Sequence, residues 1–404
     1  MVTEAMPDVA SATVGFWVGT GSRDEAPELA GASHFLEHLL FKGTPTRTAA
    51  AIAEDVDALG GDMNAFTTKE YTAFYVRLLA DSLDLGLDIL SDVMWDPAFR
   101  PDEVEAERQV ILEEILMHSD EPSDLVHDRL LEGAYPGHPL GRDVLGDEGT
   151  IEAMSRDDIR GFFSTHYRPG NMVVSVAGAI DHDRVAEGLE ARFAGSTGGS
   201  PPRRSEPGPS RAGTIVTRRP TEQAHLVVGL ATPGRHDEDR FSLAVLDHIL
   251  GGGLSSRLFQ EIRERRGLAY SVYSYRATFE DTGMLALYAG TAPAKAREVL
   301  DIMMDEVHKV AAEGVTEREL AVAKSHIRGE TALSLEDSAA RMSRVARSLL
   351  LHGEVMTVDE LIARVEAVTT DDVHAVARRV LGAAPVLAVV GPFAEDDFGP
   401  LRVA

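Results

Sequence analysis

The chain has 404 residues, 44% of them hydrophobic and 26% charged, which suits two domains with substantial cores. Its formal net charge of −27 argues against nucleic acid or an anionic membrane as a partner. Disulfides and thiolate metal sites are excluded, because there is no cysteine.

No run approaches the ~20 apolar residues of a membrane span. The opening "MVTEAMPDVASATVGFWVGTGSRDE" has an early acid and no basic-then-apolar leader, so a cytoplasmic protein is expected. Residues 10–18, "ASATVGFWV", alternate as a half-buried strand. A Gly-rich turn leads from it into an apolar helix carrying "SHFLEHLLFKGT", residues 33–44. "TAAAIAEDVDALGG" (48–61) reads as a helix stopped by two glycines, and "DMNAFTTKEYTAFYVRLL" (62–79) as a strand hairpin. A long helix is expected over 100–118, begun by Pro101 or Asp102. "GSTGGSPPRRSEPGPSRAG" (195–213) has no apolar periodicity and reads as an interdomain linker.

After the linker the pattern returns. "AHLVVGLA" (224–231) is a strand leading into a helix, "AYSVYSYRATF" and "MLALYAGTA" are strands, and helices follow near 294–312 and 316–330. Aligning the helices after the first strand of each half sets "HFLEHLLFKG" (34–43) over "AVLDHILGGG" (244–253). Glu37 and His38 then face Asp247 and His248, while His34 faces Ala244. The chain reads as an internal duplication that keeps the full polar set in its first copy. The expected fold class is α+β, with two homologous domains, each a mixed or antiparallel sheet with helices packed on one face. The boundaries are 1–196 for the domain that carries the full polar set, 197–212 for the linker and 213–404 for the homologous domain without it.

At about 100° per residue, His34, Glu37 and His38 share one side of their helix. Two imidazoles one turn apart can ligate one tetrahedral Zn²⁺, and a carboxylate beside them can reach a water on the metal. The order is H-x-x-E-H. Two satisfied core histidines are the plainer alternative. Burying three polar groups among Phe35, Leu36, Leu39 and Leu40 without a partner is costly, however, and favours a metal. The third ligand should come from the helix 101–118. Glu103, Glu107 and Glu114 fall within about 40° on its wheel, whereas Glu105 and Glu113 read as solvated. Periodicity does not choose among the three.

"HFLEHLLFKGT", with Glu114 in "RQVILEEI" 76 residues after His38, resembles the inverzincin metallopeptidases of the pitrilysin family, M16. It is most similar to bacterial relatives of the mitochondrial processing peptidase β subunit. The resemblance implies His34, His38 and Glu114 as ligands of one Zn²⁺ per chain, Glu37 as general base and Glu107 as a supporting glutamate. "GGDMNAFTTKEYTAFY" (60–75) resembles the family's active-site edge strand, which would lay Asn64, Ala65 and Phe66 along the substrate backbone. "GGGLSSRLFQEIRERRGLAYSVYSY" (251–275) resembles the second-half motif in which Arg263 and Tyr270 hydrogen-bond the substrate.

There are two departures. Family members usually carry a short "NGL"-type strand ahead of the segment equivalent to Val2–Ala12, and this sequence opens at its edge, leaving the sheet's first strand in question. "GGGLSSR" (251–257) stands where the processing peptidase α subunit has a longer loop, so presequence recognition is not implied. The expected activity is zinc-dependent endoproteolysis of peptides or unfolded segments, in a homodimer with composite active sites. The alternatives are a non-catalytic core-type subunit and a peptidase needing a different partner chain.

Overall fold

The computed structural model describes residues 1–193, 197–399 and 401. The domain end expected at residue 196 and the chain's last residues to 404 lie outside the described residues. In the first half the elements are β1 (Val2–Ala5), β2 (Ser11–Val18), α1 (Ala32–Leu40), α2 (Ala49–Asp57), β3 (Asp62–Thr67) and β4 (Thr72–Leu79). Then come α3 (Leu83–Trp95), α4 (Pro101–Ser119), α5 (Pro122–Ala134), α6 (Glu148–Ala153), α7 (Arg156–His166), β5 (Met172–Gly178) and α8 (His182–Arg192). The second half has β6 (Gly213–Arg218), β7 (Ala224–Pro233), α9 (Arg240–Leu250), β8 (Ala269–Thr278), β9 (Thr282–Thr291) and α10 (Ala296–Glu313). It closes with α11 (Glu317–Ser334), α12 (Ser338–His352), α13 (Val358–Ala367), α14 (Thr370–Leu381) and β10 (Val386–Gly391).

These elements make two five-stranded mixed sheets of matching topology, ordered β1-β5-β2-β4-β3 and β6-β10-β7-β9-β8. In each, one outer pair is parallel and the rest are antiparallel. Two α+β units arise from the duplication. Val2–Ala5 is the outer strand of the first sheet and pairs in parallel with Ser175–Gly178.

The units do not simply follow chain order. The first comprises residues 1–116, 142–205 and 332–356, and the second 117–141, 206–331 and 357–404. Each sheet's main helical layer covers one face, and the opposite face takes one helix from the other half of the chain. α12 packs on β2 and β5, and α5 packs on β7 and β10. This explains why β2 is buried on both faces where its alternation suggested one. Val14, Phe16 and Val18 enter the main core, while Trp17 faces α12 and donates from Nε1 to Met342 Sδ at 3.2 Å. Glycine at the strand centres permits the approach. A Cβ on Gly15 would lie 2.4 Å from Met342 Sδ, and one on Gly229 would lie 2.8 Å from Leu130 Cδ1.

Within the Gly/Ser/Pro-rich stretch read as an interdomain linker, Arg204 and Ser205 are anchored to the first unit. Arg204 grips both oxygens of Asp24 at 2.9 Å, and Arg23 bridges Glu70 Oε1 and the Ser205 carbonyl at 2.7 Å each. No helix among the described residues is long and apolar enough to cross a membrane.

Candidate metal centre

The helix that carries the motif is held from its N-terminal end. The first N–H groups of a helix lack partners within it. The buried Glu25 supplies two acceptors there, Oε2 to Gly31 N–H and Oε1 to Ser33 N–H, both at 2.8 Å. Burial pushes the Glu25 carboxyl up to about 7, against those two hydrogen bonds and the charge of Arg142. Phe35, Leu36, Leu39 and Leu40 sink into the core of the first unit, which turns Glu37 and His38 toward the half-exposed side.

Along that side the two imidazoles lie with centroids 4.6 Å apart. α4 brings two glutamates over them. Both Nε2 atoms converge on Glu114 Oε2, His34 at 3.5 Å and His38 at 3.4 Å. Of the three glutamates left open by periodicity, Glu114 is therefore the one placed with both histidines. Glu107, buried about two turns earlier, takes His38 Nδ1 at 3.1 Å on Oε2 and Lys42 Nζ at 2.6 Å on Oε1. Glu105 pairs with Arg108 at the surface, and Glu113 is exposed.

The donor set fits a divalent metal. One ligand atom each from His34, His38 and Glu114 lies within 4.8 Å of the other two. Burial drives the His34 imidazole down to about 4, despite Glu114, so it is a neutral donor near pH 7. Its Nδ1 is buried without a hydrogen-bond partner among the described residues, and Nε2 is the atom turned to the cluster. His38 is also disfavoured as a cation by burial, but Glu114 and Glu107 outweigh that and hold it above its ordinary value. Metal binding at His38 Nε2 would therefore displace a proton, and Glu107 at Nδ1 fixes the tautomer. Burial raises the Glu37 carboxyl as well, partly offset by hydrogen bonds from Thr67.

β3 is the edge of its sheet, beside α1. Asn64 is exposed on it and its Oδ1 accepts from Ala65 N–H at 2.8 Å. The Phe66 ring packs instead against Trp17, Tyr71 and Tyr75. In the second unit, Arg263 sits in a π-helical turn, Phe259–Glu264, with its guanidinium 4.7 Å from the Tyr270 ring centroid. Tyr270 is 80% exposed. Sequence reasoning missed Glu25, Thr67 and Lys42. Lys42 had a signal, since it stands one turn beyond His38 on the same side.

An α+β duplication with a His–His–Glu cluster on one helix pair defines a class, and comparison with known proteins names it. Residues 1–148 match the family model described as Insulinase (Peptidase family M16), and residues 153–327 match Peptidase M16 inactive domain. The chain belongs to peptidase family M16. It is 46% identical to an uncharacterized zinc protease of Streptomyces coelicolor, covering 100% of this chain and 90% of that protein. It is 39% identical to the uncharacterized zinc protease YmxG of Bacillus subtilis, covering 97% and 96%. The same fold occurs in a peptidase M16 inactive domain from Pseudomonas fluorescens, at TM-score 0.90, 21% identity and coverage of 97% and 95%. A protease from Helicobacter pylori matches at TM-score 0.90, 23% identity and 96% coverage of both chains.

Proposed function

We propose that the chain is a zinc-dependent endopeptidase acting on peptides or unfolded polypeptide segments. The observation that carries this reading is the convergence of His34 Nε2 and His38 Nε2 on Glu114 Oε2, with Glu37 on the same helix face. Relatives named zinc proteases, matched over at least 90% of their length, support it. His34, His38 and Glu114 would hold the ion. Zn²⁺ there would supply Lewis-acid polarisation of a scissile carbonyl and acidify the attacking water.

The remaining work belongs to the chain's own groups. Glu37 accepts the proton of the attacking water on its carboxylate and returns it to the leaving amine. Its raised pKa suits a group that must both take and give a proton near neutrality. Glu107 keeps a proton on His38 Nδ1, so that Nε2 carries the lone pair, and Lys42 steadies Glu107. The free edge of β3 around Asn64, Ala65 and Phe66 pairs with an extended substrate backbone, which selects unfolded segments. Arg263 and Tyr270 complete the site from the partner of a homodimer and bind the substrate and its developing oxyanion.

Metal analysis and a quenched-peptide assay on purified variants test the reading. His34→Ala and Glu114→Gln lose most of the zinc. Glu37→Gln keeps the zinc and loses turnover, because the amide is near-isosteric but cannot accept the proton. Zinc retained in His34→Ala, or near-normal turnover in Glu37→Gln, would overturn it. A chain that binds zinc yet shows no Glu37-dependent hydrolysis would point to the non-catalytic alternative.

A further inference from the structure

Three consecutive carbonyls just past the motif helix are taken by one short stretch of chain. They belong to Lys42, Gly43 and Thr44, in the segment that follows α1. Ala98 N–H donates to Gly43 O at 3.0 Å, Arg100 Nη1 to Lys42 O at 3.4 Å and Arg100 Nη2 to Thr44 O at 2.5 Å. Arg100 also begins α4, since its own carbonyl accepts from Val104 N–H at 2.9 Å. One residue therefore starts the helix of Glu107 and Glu114 and grips the end of the helix of His34, Glu37 and His38.

The sequence on both sides of this grip is adapted to it. Gly43 has φ +114°, and a Cβ there would lie 2.9 Å from Arg100 Nη1 and 2.5 Å from the Arg47 carbonyl. Both the left-handed backbone and the passage of the guanidinium require glycine. On the other side Phe99 has φ 44°, the only positive value outside glycine among the described residues. A bulky residue is disfavoured there and persists only where its surroundings hold it. Its ring is buried edge-on to Phe163 at 5.4 Å, and Arg156 Nε donates to its carbonyl.

α4 has few other anchors of an apolar kind. Of its 19 residues only Val104, Glu107 and Ile111 are buried, so packing holds it along one thin stripe. Glu114 lies ~21 Å along the helix from Arg100, at 1.5 Å per residue, so a tilt of ~3° at the clip displaces it by ~1 Å. Glu107, half as far along, moves by half as much. A ligand constellation has to be held within ~0.5 Å.

We propose that Arg100 is a positioning residue for the metal centre, a role that rests on the zinc reading above. By clamping the Lys42–Thr44 segment to the start of α4, it sets Glu107 and Glu114 over His38 and His34. Arginine suits the task, because its planar fork of donors reaches two carbonyls at once and the single ammonium of lysine does not. Its bonds go to backbone carbonyls, so its effect falls on ion affinity and not on proton transfer.

Chelator competition for Zn²⁺, beside urea unfolding of the metal-free protein, is the test. Arg100→Met keeps the aliphatic stem, loses both carbonyl bonds and weakens zinc binding about tenfold or more. Arg100→Lys, the milder variant, falls between it and the wild type. Gly43→Ala, which breaks the same clip from the other side, weakens zinc as well. Ile52→Val, a one-carbon truncation at a fully buried position of the same unit, controls for lost stability. It lowers the unfolding midpoint and leaves zinc affinity at the wild-type value. Wild-type affinity in Arg100→Met or Arg100→Lys, or a loss no greater than that in Ile52→Val, would refute the positioning role and leave the metal centre standing. A wild type that takes up no zinc would overturn the metal reading and the positioning role together.

Discussion

Glu25 gives a prediction whose sign changes with pH. Its carboxyl is raised from 4.5 to about 7 by burial, while the unfolded chain titrates at its ordinary value. The folded state therefore binds this proton more tightly, and the difference is worth ~3 kcal/mol. Below about pH 4.5 both states hold the proton and the contribution is fully present. Between there and about 7 the unfolded chain loses its proton first, so stability falls as pH rises, and it levels off above. Glu25→Gln removes the titration. The amide keeps one oxygen for Gly31 or Ser33, but its NH₂ faces the other N–H, which is left buried and unpaired at a cost of ~1–3 kcal/mol. The variant should be the less stable protein at acid pH and match or exceed the wild type at about pH 8. Urea unfolding followed by circular dichroism over this range measures it, and the other titrating groups cancel in the difference. A wild-type-minus-variant difference that stays flat with pH would refute the reasoning.

Lys42→Met should weaken zinc binding or turnover by roughly 10–100-fold, because Glu107 loses the ammonium that steadies it against His38, with Lys42→Arg restoring part. Chelator competition checks the affinity, and wild-type values in Lys42→Met would sink the assignment. Mixing two inactive proteins, Glu37→Gln and Arg263→Ala, under conditions of subunit exchange should restore activity to about half per mixed dimer, since one site then carries both defects and the other none. Silence after proven exchange would show that Arg263 does not act across a dimer.

Much of the site was legible because its chemistry is written in local spacing. His34, Glu37 and His38 share a helix face by arithmetic, and the resemblance chose Glu114 from a stripe that periodicity left open. The sheets were legible for the same reason, since "ASATVGFWV" and "AHLVVGLA" carry their strand pattern in themselves. The helix exchange was not. "PSDLVHDRLLEGA" of α5 is amphipathic, but amphipathicity says that a face is buried and not against which sheet. Composition likewise marked residues 195–213 as a linker, because glycine, serine and proline say nothing of Arg204 finding Asp24 across 180 residues of sequence. Glu25 lies in an irregular stretch with no periodicity at all. Its role follows only from where the chain places it against α1.

The exchange of α5 and α12 also sets an order of events during synthesis. The last strand of the first sheet, β5, ends at Gly178, but the helix that covers its open face runs from Ser338 to His352. At about 5–20 residues per second, the face holding Trp17, Ala73 and Val173 waits roughly ten to thirty-five seconds for its cover. During that interval α5, already made, has no second sheet to settle on. The nascent chain therefore exposes two apolar surfaces at once, and either half expressed alone would do so permanently. Aggregation of the isolated halves, relieved when they are produced together, is the behaviour such a fold imposes on whatever cell makes it.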